Sequence, residues 1–267
     1  MPPDLGQGPH IGTSGWHYDH WRGPVYAPAV PKTRWLSVYA ERFDCVEVNS
    51  SFYRFPSDKT VRAWVEAVPP GFRFALKASR YITHQRKLKK CAEPLRRFLD
   101  QAAAFGDRLG PVLFQLPPRW RVNLDRLEEF LILLPEGLSC AMELRDPSWH
   151  VPSVYDLLAA RSIAFCQFEI AGLNTPEVVT ANLVYVRLHG PGADAYRGSY
   201  SDGALAFWAG RIRRWLGQGR DVWLFFDNDE AGYAVRDALR LNTLLHDAAS
   251  LGPEEGRGGG CGSDFPS

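Results

Sequence analysis

Short apolar runs rich in β-branched and aromatic residues recur along the chain. Each is followed by a loop and then by a stretch whose apolar positions fall near helical spacing. The runs predict eight strands, at residues 11–14, 45–49, 73–77, 111–115, 139–145, 163–168, 183–189 and 222–227. The longer stretches predict helices at 32–42, 58–67, 94–105, 124–134, 154–161, 204–216 and 231–246. Several carry start signals: Ser57-Asp58 before the second, Glu93-Pro94 opening the third, Pro152-Ser153 before the fifth. Only the sixth strand lacks a clear helix after it, because residues 171–182 are few and mixed in character.

Strand and helix in alternation point to an α/β fold with a parallel sheet, and eight is the closing number of a (β/α)8 TIM barrel. The rival is a doubly wound open sheet, which would place a GxGxxG turn after the first strand. The residues there, Gly12-Thr13-Ser14-Gly15-Trp16, do not match it. The reading is a single barrel domain over residues 10–248, with a short extension at 1–9 and a Gly-rich disordered tail at 249–267. Composition adds limits. With 31 Lys plus Arg against 30 Asp plus Glu, the chain is not basic all over, although a local patch remains open. Its 34 aromatics (15 Phe, 10 Tyr, 9 Trp) exclude a disordered chain. No apolar run approaches the roughly 20 residues that span a bilayer, and residues 1–10 do not read as a signal peptide. Five cysteines without a CxxC read as reduced thiols, so a cytoplasmic location and no membrane partner are expected.

A set of motifs resembles a known family. The opening Gly12-Thr13-Ser14-Gly15-Trp16-His17-Tyr18, with Trp21, Gly23 and Tyr26 behind it, is similar to the start of the YecE-like proteins, domain-of-unknown-function family 72. The similarity continues through Phe43–Tyr53, Phe74-Ala75-Leu76-Lys77, Thr83-His84, the block at 110–118 and Glu143-Leu144-Arg145. It ends with Ser148-Trp149, the blocks at 185–190 and 196–201, and Phe226-Asp227-Asn228-Asp229. These blocks run in order over about residues 11–240. The resemblance implies a TIM barrel and no established reaction. At the sixth strand the chain reads Cys166-Gln167-Phe168-Glu169 where an aspartate is expected, so no role is carried to that position.

Side chains alternate along a strand, so each run divides into two faces. With Val46 and Val48 against the helices, Cys45, Glu47 and Asn49 point inward. The same rule turns Arg73, Ala75, Lys77, Gln115, Glu143, Arg145, Tyr185, Arg187 and His189 inward, and Asp227 with Trp223 and Phe225. The polar members gather toward the carboxyl ends of the strands, where barrel enzymes place their sites. Three carboxylates, Glu47, Glu143 and Asp227, match three cations, Lys77, Arg145 and Arg187. An internal salt-bridge network is therefore the alternative to a functional pocket.

Arginine forks at such a mouth suit phosphate or carboxylate. The stretch 80–97 holds seven Lys or Arg against one acid, with Arg80, Arg86, Lys87, Lys89 and Lys90 as nucleic-acid candidates. Tyr196 and Tyr200, together with Trp16, Tyr18 and Trp21, are either stacking surfaces or loop anchors. The leading expectation is a phosphate-bearing ligand, nucleic acid among them, with hydrolysis in view. Glu143 or Glu47 would be the base, His189 the acid, and Asn49, Lys77, His84, Gln115, Arg145, Arg187, Tyr196 and Tyr200 would bind. No cofactor is required. A divalent-metal version would use Glu47, Glu143, His189 and Asp227. The alternatives are a glycosidase-like pair of Glu47 and Glu143, a non-catalytic binding module, and a Schiff base at Lys77.

Overall fold

In the computed structural model, residues 8–250 are described. Of the predicted tail at 249–267, residues 249 and 250 instead close the last helix, and the rest lies outside the described residues, as does most of the amino-terminal extension. The described residues form ten strands: β1 (His10–Thr13), β2 (Cys45–Val48), β3 (Arg73–Lys77), β4 (Leu109–Leu116), β5 (Cys140–Leu144), β6 (Ala164–Phe165), β7 (Gln167–Ile170), β8 (Leu173–Asn174), β9 (Leu183–Leu188) and β10 (Asp221–Phe226). The α-helices are α1 (Trp35–Tyr39), α2 (Ser50–Tyr53), α3 (Asp58–Glu66), α4 (Ala92–Ala102), α5 (Leu124–Leu131), α6 (Pro152–Ala159), α7 (Asp202–Gly217) and α8 (Tyr233–Ser250). None of the described helices is long and apolar enough to cross a membrane.

The fold is mixed α/β, with two five-stranded sheets ordered β1-β10-β9-β7-β8 and β2-β3-β4-β5-β6. Every pairing is parallel except β7 with β8. The predicted sixth strand is divided. β6 pairs with β5 and β7 with β9, while between them the Cys166 amide donates to the Met142 carbonyl at 2.9 Å. The stretch after it forms the short hairpin strand β8 and no helix. Along the β1 and β2 edges the sheets are joined, among the described residues, by one isolated β-bridge, Ser14 to Glu47.

The two predicted faces are both present. Val46, Val48, Phe72, Phe74 and Leu76 join the large cluster under the helices. Cys45, Ala75, Leu113, Ala141, Ala164 and Cys166 pack instead with Tyr185, Trp223 and Phe225 in a separate inner cluster. Small residues from β2, β3, β5 and β6 thus make room for large aromatics from β9 and β10, which fills the interior at close packing. Gly110 of β4 shows how tight the fit is: a Cβ there would lie 2.9 Å from the Trp223 ring. Side-chain caps fix where several helices begin. Ser57, Asn123 and Ser201 accept from the Thr60, Arg126 and Ala204 amides at the starts of α3, α5 and α7.

Candidate active site at the carboxyl ends of the strands

The polar residues that end the strands converge on one side chain, Arg187 of β9, which is fully buried. Its Nε and Nη2 donate to the Glu47 carboxylate at 2.8–3.1 Å, and Nη1 donates to Glu143 Oε2 at 2.8 Å. Nη2 also donates to Asp227 Oδ2 at 2.8 Å and to the Ser14 hydroxyl at 3.0 Å. Glu47 is held further by the Tyr185 hydroxyl at 2.7 Å and by Ser14. Asn49 Nδ2 donates to the Ser14 oxygen at 2.6 Å, while its buried Oδ1 has no hydrogen-bond partner among the described residues. Arg145 donates to Glu143 Oε1 at 2.5 Å and to the Tyr196 hydroxyl at 3.3 Å. The salt-bridge network weighed as the alternative is therefore present in part: Arg187 is its hub and Arg145 its second cation, while Lys77 makes no ion pair among the described residues.

This geometry changes several expected roles. Glu47 and Glu143 are fully buried and bound by arginine, so in this arrangement neither oxygen pair meets a substrate as base, nucleophile or glycosidase acid. Burial alone would raise the Glu143 carboxyl, but Arg145, Arg187 and neighbouring cations outweigh it and hold it well below the usual carboxylate range. His189 Nε2 lies 2.9 Å from Arg187 Nη1 and 3.1 Å from Arg145 Nη2, both obligate donors. That nitrogen is thus the acceptor, and the ring proton sits on Nδ1, donated to the Glu169 carbonyl at 3.0 Å. Burial and the Arg187 charge keep the imidazole neutral, with its pKa well below the usual value. A general acid at Nε2 has no proton to give. The four residues of the metal version surround a guanidinium, which supplies the cation their charges require.

Two charged groups of the site, Lys77 and Asp227, also keep free functional atoms among the described residues. Among the described residues no hydrogen bond or ion pair ends on Lys77 Nζ, which rests 4.6 Å from the centre of the Phe52 ring. Phe52 comes from α2, a turn that follows β2 directly and was not predicted; Ser51 ties it down by donating to the Lys77 carbonyl at 2.7 Å. Burial, with Arg187 adding to it, lowers the Lys77 pKa to about 8. Asp227 uses Oδ2 for Arg187, and no hydrogen bond among the described residues ends on Oδ1. Burial raises its pKa to about 6, with Arg187 opposing and Glu47 adding. A lysine that ends a strand of one sheet and an aspartate that follows a strand of the other are thus both brought toward neutrality. Beside Lys77, His84 is lowered to about 4, by burial first and then by Lys77 and Arg145.

A sequence model described as "Protein of unknown function DUF72" matches residues 10–257. The chain belongs to the DUF72 family. The UPF0759 protein YunF of Bacillus subtilis is 25% identical over 272 residues, covering 88% of this chain and 94% of that one. The UPF0759 protein YecE of Escherichia coli K12 is 33% identical over 115 residues, 43% of this chain and 42% of that one. Among solved structures, a DUF72 protein of Thermotoga maritima aligns with a TM-score of 0.81 at 25% identity, over 90% of this chain and all of that one. A DUF72 protein of Enterococcus faecalis, 22% identical, shares the fold with a TM-score of 0.76 over 89% of this chain and 95% of that one.

The remaining candidates in this DUF72 chain separate by burial. Gln115 is buried, and its amide donates to the Leu116 carbonyl at 3.1 Å rather than facing the mouth. Tyr200 is buried, with its hydroxyl accepting from the Gly190 amide at 3.1 Å, so it anchors a loop. Trp16 and Trp21 are buried anchors as well, whereas Tyr196 is exposed. The basic stretch forms a π-helical turn at Tyr81–Gln85, then takes positive φ at Lys87, Leu88 and Lys90. Buried Leu88 pins this strained segment. Arg86 and Lys90 line a groove of about 1100 Å³ with Arg54 and Arg97, against two acids, Asp58 and Glu93, and with two exposed tyrosines, Tyr53 and Tyr81. Arg80 lies over the Tyr53 ring at 6.0 Å and Arg86 over Tyr81 at 5.2 Å. Lys87 turns away toward Trp120, and Lys89 is exposed. Ser14 was missed as a site residue, although its place in the turn that ends β1 marks it as a strand-end residue.

Proposed function

We propose that this protein binds a phosphate-bearing ligand at the carboxyl ends of its strands, and that the ligand is nucleic acid. The observation that carries the reading is Lys77, a mouth cation with no anionic partner, set beside a basic groove with exposed tyrosines. Arg187 is neutralised three times over and Arg145 once, so the mouth's affinity for an anion rests on Lys77. Ser51 and Ser79, which line the groove, sit at the end of the Lys77 strand, so one extended polyanion spans both features. The groove adds phosphate contacts from Arg54, Arg86, Lys90 and Arg97, and its tyrosines offer faces for bases. The orphaned Asn49 Oδ1 gives a ligand donor an acceptor.

The same reading treats the two sheets as halves of one eight-stranded barrel. The Ser14–Glu47 bridge, the handover at Cys166 and the reach of Trp223 to Gly110 support it. The ligand then sits where barrel enzymes hold theirs. Where hydrolysis accompanies binding, Asp227 Oδ1 is the group placed to take a proton from water, and Lys77 to stabilise charge on the phosphate. The sugar reading loses its carboxylate pair to burial.

Calorimetric titration with inorganic phosphate and with mononucleotides tests this at its core. Binding should be present in the native protein and reduced at least tenfold in Lys77→Met. Equal affinity in the two proteins would place the anion elsewhere and refute the assignment.

A further inference from the structure

At the opposite end of the strands, three side chains of metal-binding type meet. A ring nitrogen of His10, an oxygen of Asp44 and Cys45 Sγ all lie within 4.8 Å of one another. His10 opens β1 and Cys45 opens β2, so the group sits across the seam between the two sheets. The His10 ring is set by stacking on Trp223, 4.1 Å between centroids, and its Nδ1 lies 2.7 Å from Asp44 Oδ2. Cys45 is fully buried among the alanines of the inner cluster. The Asp44 side chain is 53% exposed and lies at the edge of a solvent-open hollow of about 970 Å³, also lined by His10.

We infer that His10, Asp44 and Cys45 form a zinc-type metal site that clamps β1 to β2. The donor set is one imidazole, one carboxylate and one thiol, the mixture that borderline-soft divalent ions such as Zn2+ select. Tetrahedral zinc, with bonds of about 2.0–2.3 Å, keeps its donors roughly 3.3–3.8 Å apart, so side-chain rotation closes this set round an ion. The charge also closes: a thiolate and a carboxylate match the two positive charges of the ion. The Cys45 thiol proton leaves to solvent on binding, so the site fills more readily as pH rises. A fourth position opens to water from the hollow. The clamp has a structural purpose at this place, since among the described residues the one β-bridge across the seam, Ser14 to Glu47, lies toward the other end of the strands. It is independent of the ligand proposed for the mouth.

Cobalt(II) titration of the full chain tests the inference, because a cobalt–thiolate bond gives a near-ultraviolet charge-transfer absorption. The expected result is one cobalt per chain with that absorption, displaced by Zn2+ and absent in Cys45→Ala. Asp44→Asn changes a half-exposed side chain and should fold; it should bind at least tenfold more weakly. Zn2+ at a hundredfold excess over its dissociation constant should raise the melting temperature of the native chain by roughly 5–10 °C and leave Cys45→Ala unmoved. No thiolate absorption in the native chain, or its persistence in Cys45→Ala, overturns the site. If Cys45→Ala does not fold, unchanged cobalt affinity in Asp44→Asn overturns it equally.

Discussion

Replacing Arg187 with alanine removes the one guanidinium shared by Glu47, Glu143 and Asp227. The alternation of side chains in β9 places Arg187 inward at the carboxyl end of its strand, with a functional pocket and a salt-bridge network both open. The hydrogen bonds make it structural. Arg187 is fully buried and contacts three carboxylates, Ser14 and His189. Breaking a single buried ion pair costs about 3–5 kcal/mol, because the surviving charge stays unpaired. Here Arg145 still covers one side of Glu143, and Asp227 is 10% exposed, so those two are partly relieved. Glu47 keeps Tyr185 and Ser14 but has no cation left. A loss of at least about 4 kcal/mol at pH 7 follows, a large share of the 5–15 kcal/mol that holds an ordinary domain. The sign of its pH dependence is fixed. Asp227, already raised to about 6 in the native chain, loses in the variant the guanidinium that opposes its burial and is raised further, so its burial costs least at acid pH and most at neutrality. In the native chain Glu143 is depressed, and its contribution is lost as pH falls through its folded pKa. The deficit of Arg187→Ala should therefore shrink as pH falls from 7 to 5. Urea unfolding followed by tryptophan fluorescence at both pH values measures it. A deficit below about 1 kcal/mol at pH 7, or one indifferent to pH, would refute the hub.

Anion affinity should fall as pH rises through about 8, where Lys77 loses its proton, and calorimetry at pH 7 and 9 should show that step in the native protein but not in Lys77→Met. Gly15→Ala should destabilise by more than about 1 kcal/mol in the same urea assay: its φ is +89° and a Cβ would meet the Tyr18 hydroxyl at 2.8 Å.

The strand faces were legible in the sequence because a period of two is read directly. Val46 and Val48 against Cys45 and Glu47 needed no coordinates, and the inner cluster contains the residues that alternation assigns to it. The hub was only half legible. Alternation brings three carboxylates and three cations to one end, but it does not say which atoms meet. Arg187 looks like Arg145 in the sequence; one lies at the centre, the other at the rim. Asp227 looks like Glu143, yet one keeps a free oxygen and the other is clamped by two arginines. Tyr200 and Gln115 face backbone groups that only the folded loops bring near. Neither the split at Cys166 nor α2 carries a periodic signal, since each spans too few residues. The basic stretch was visible as composition, but its division was not: Arg86 and Lys90 face the groove, and Lys87 turns toward Trp120.

Fluorescence polarisation with labelled single-stranded DNA, duplex DNA and RNA, at two salt concentrations, tests the central claim most directly. The native protein should bind with an affinity that falls steeply with salt. Arg86→Ala with Lys90→Ala should weaken binding and reduce the salt slope by roughly two on duplex DNA, whereas Lys87→Ala with Lys89→Ala should do so less. Lys77→Met should weaken binding further while leaving the groove's salt dependence in place. No binding to any of these strands at low salt would contradict the account, as would binding that none of these substitutions changes.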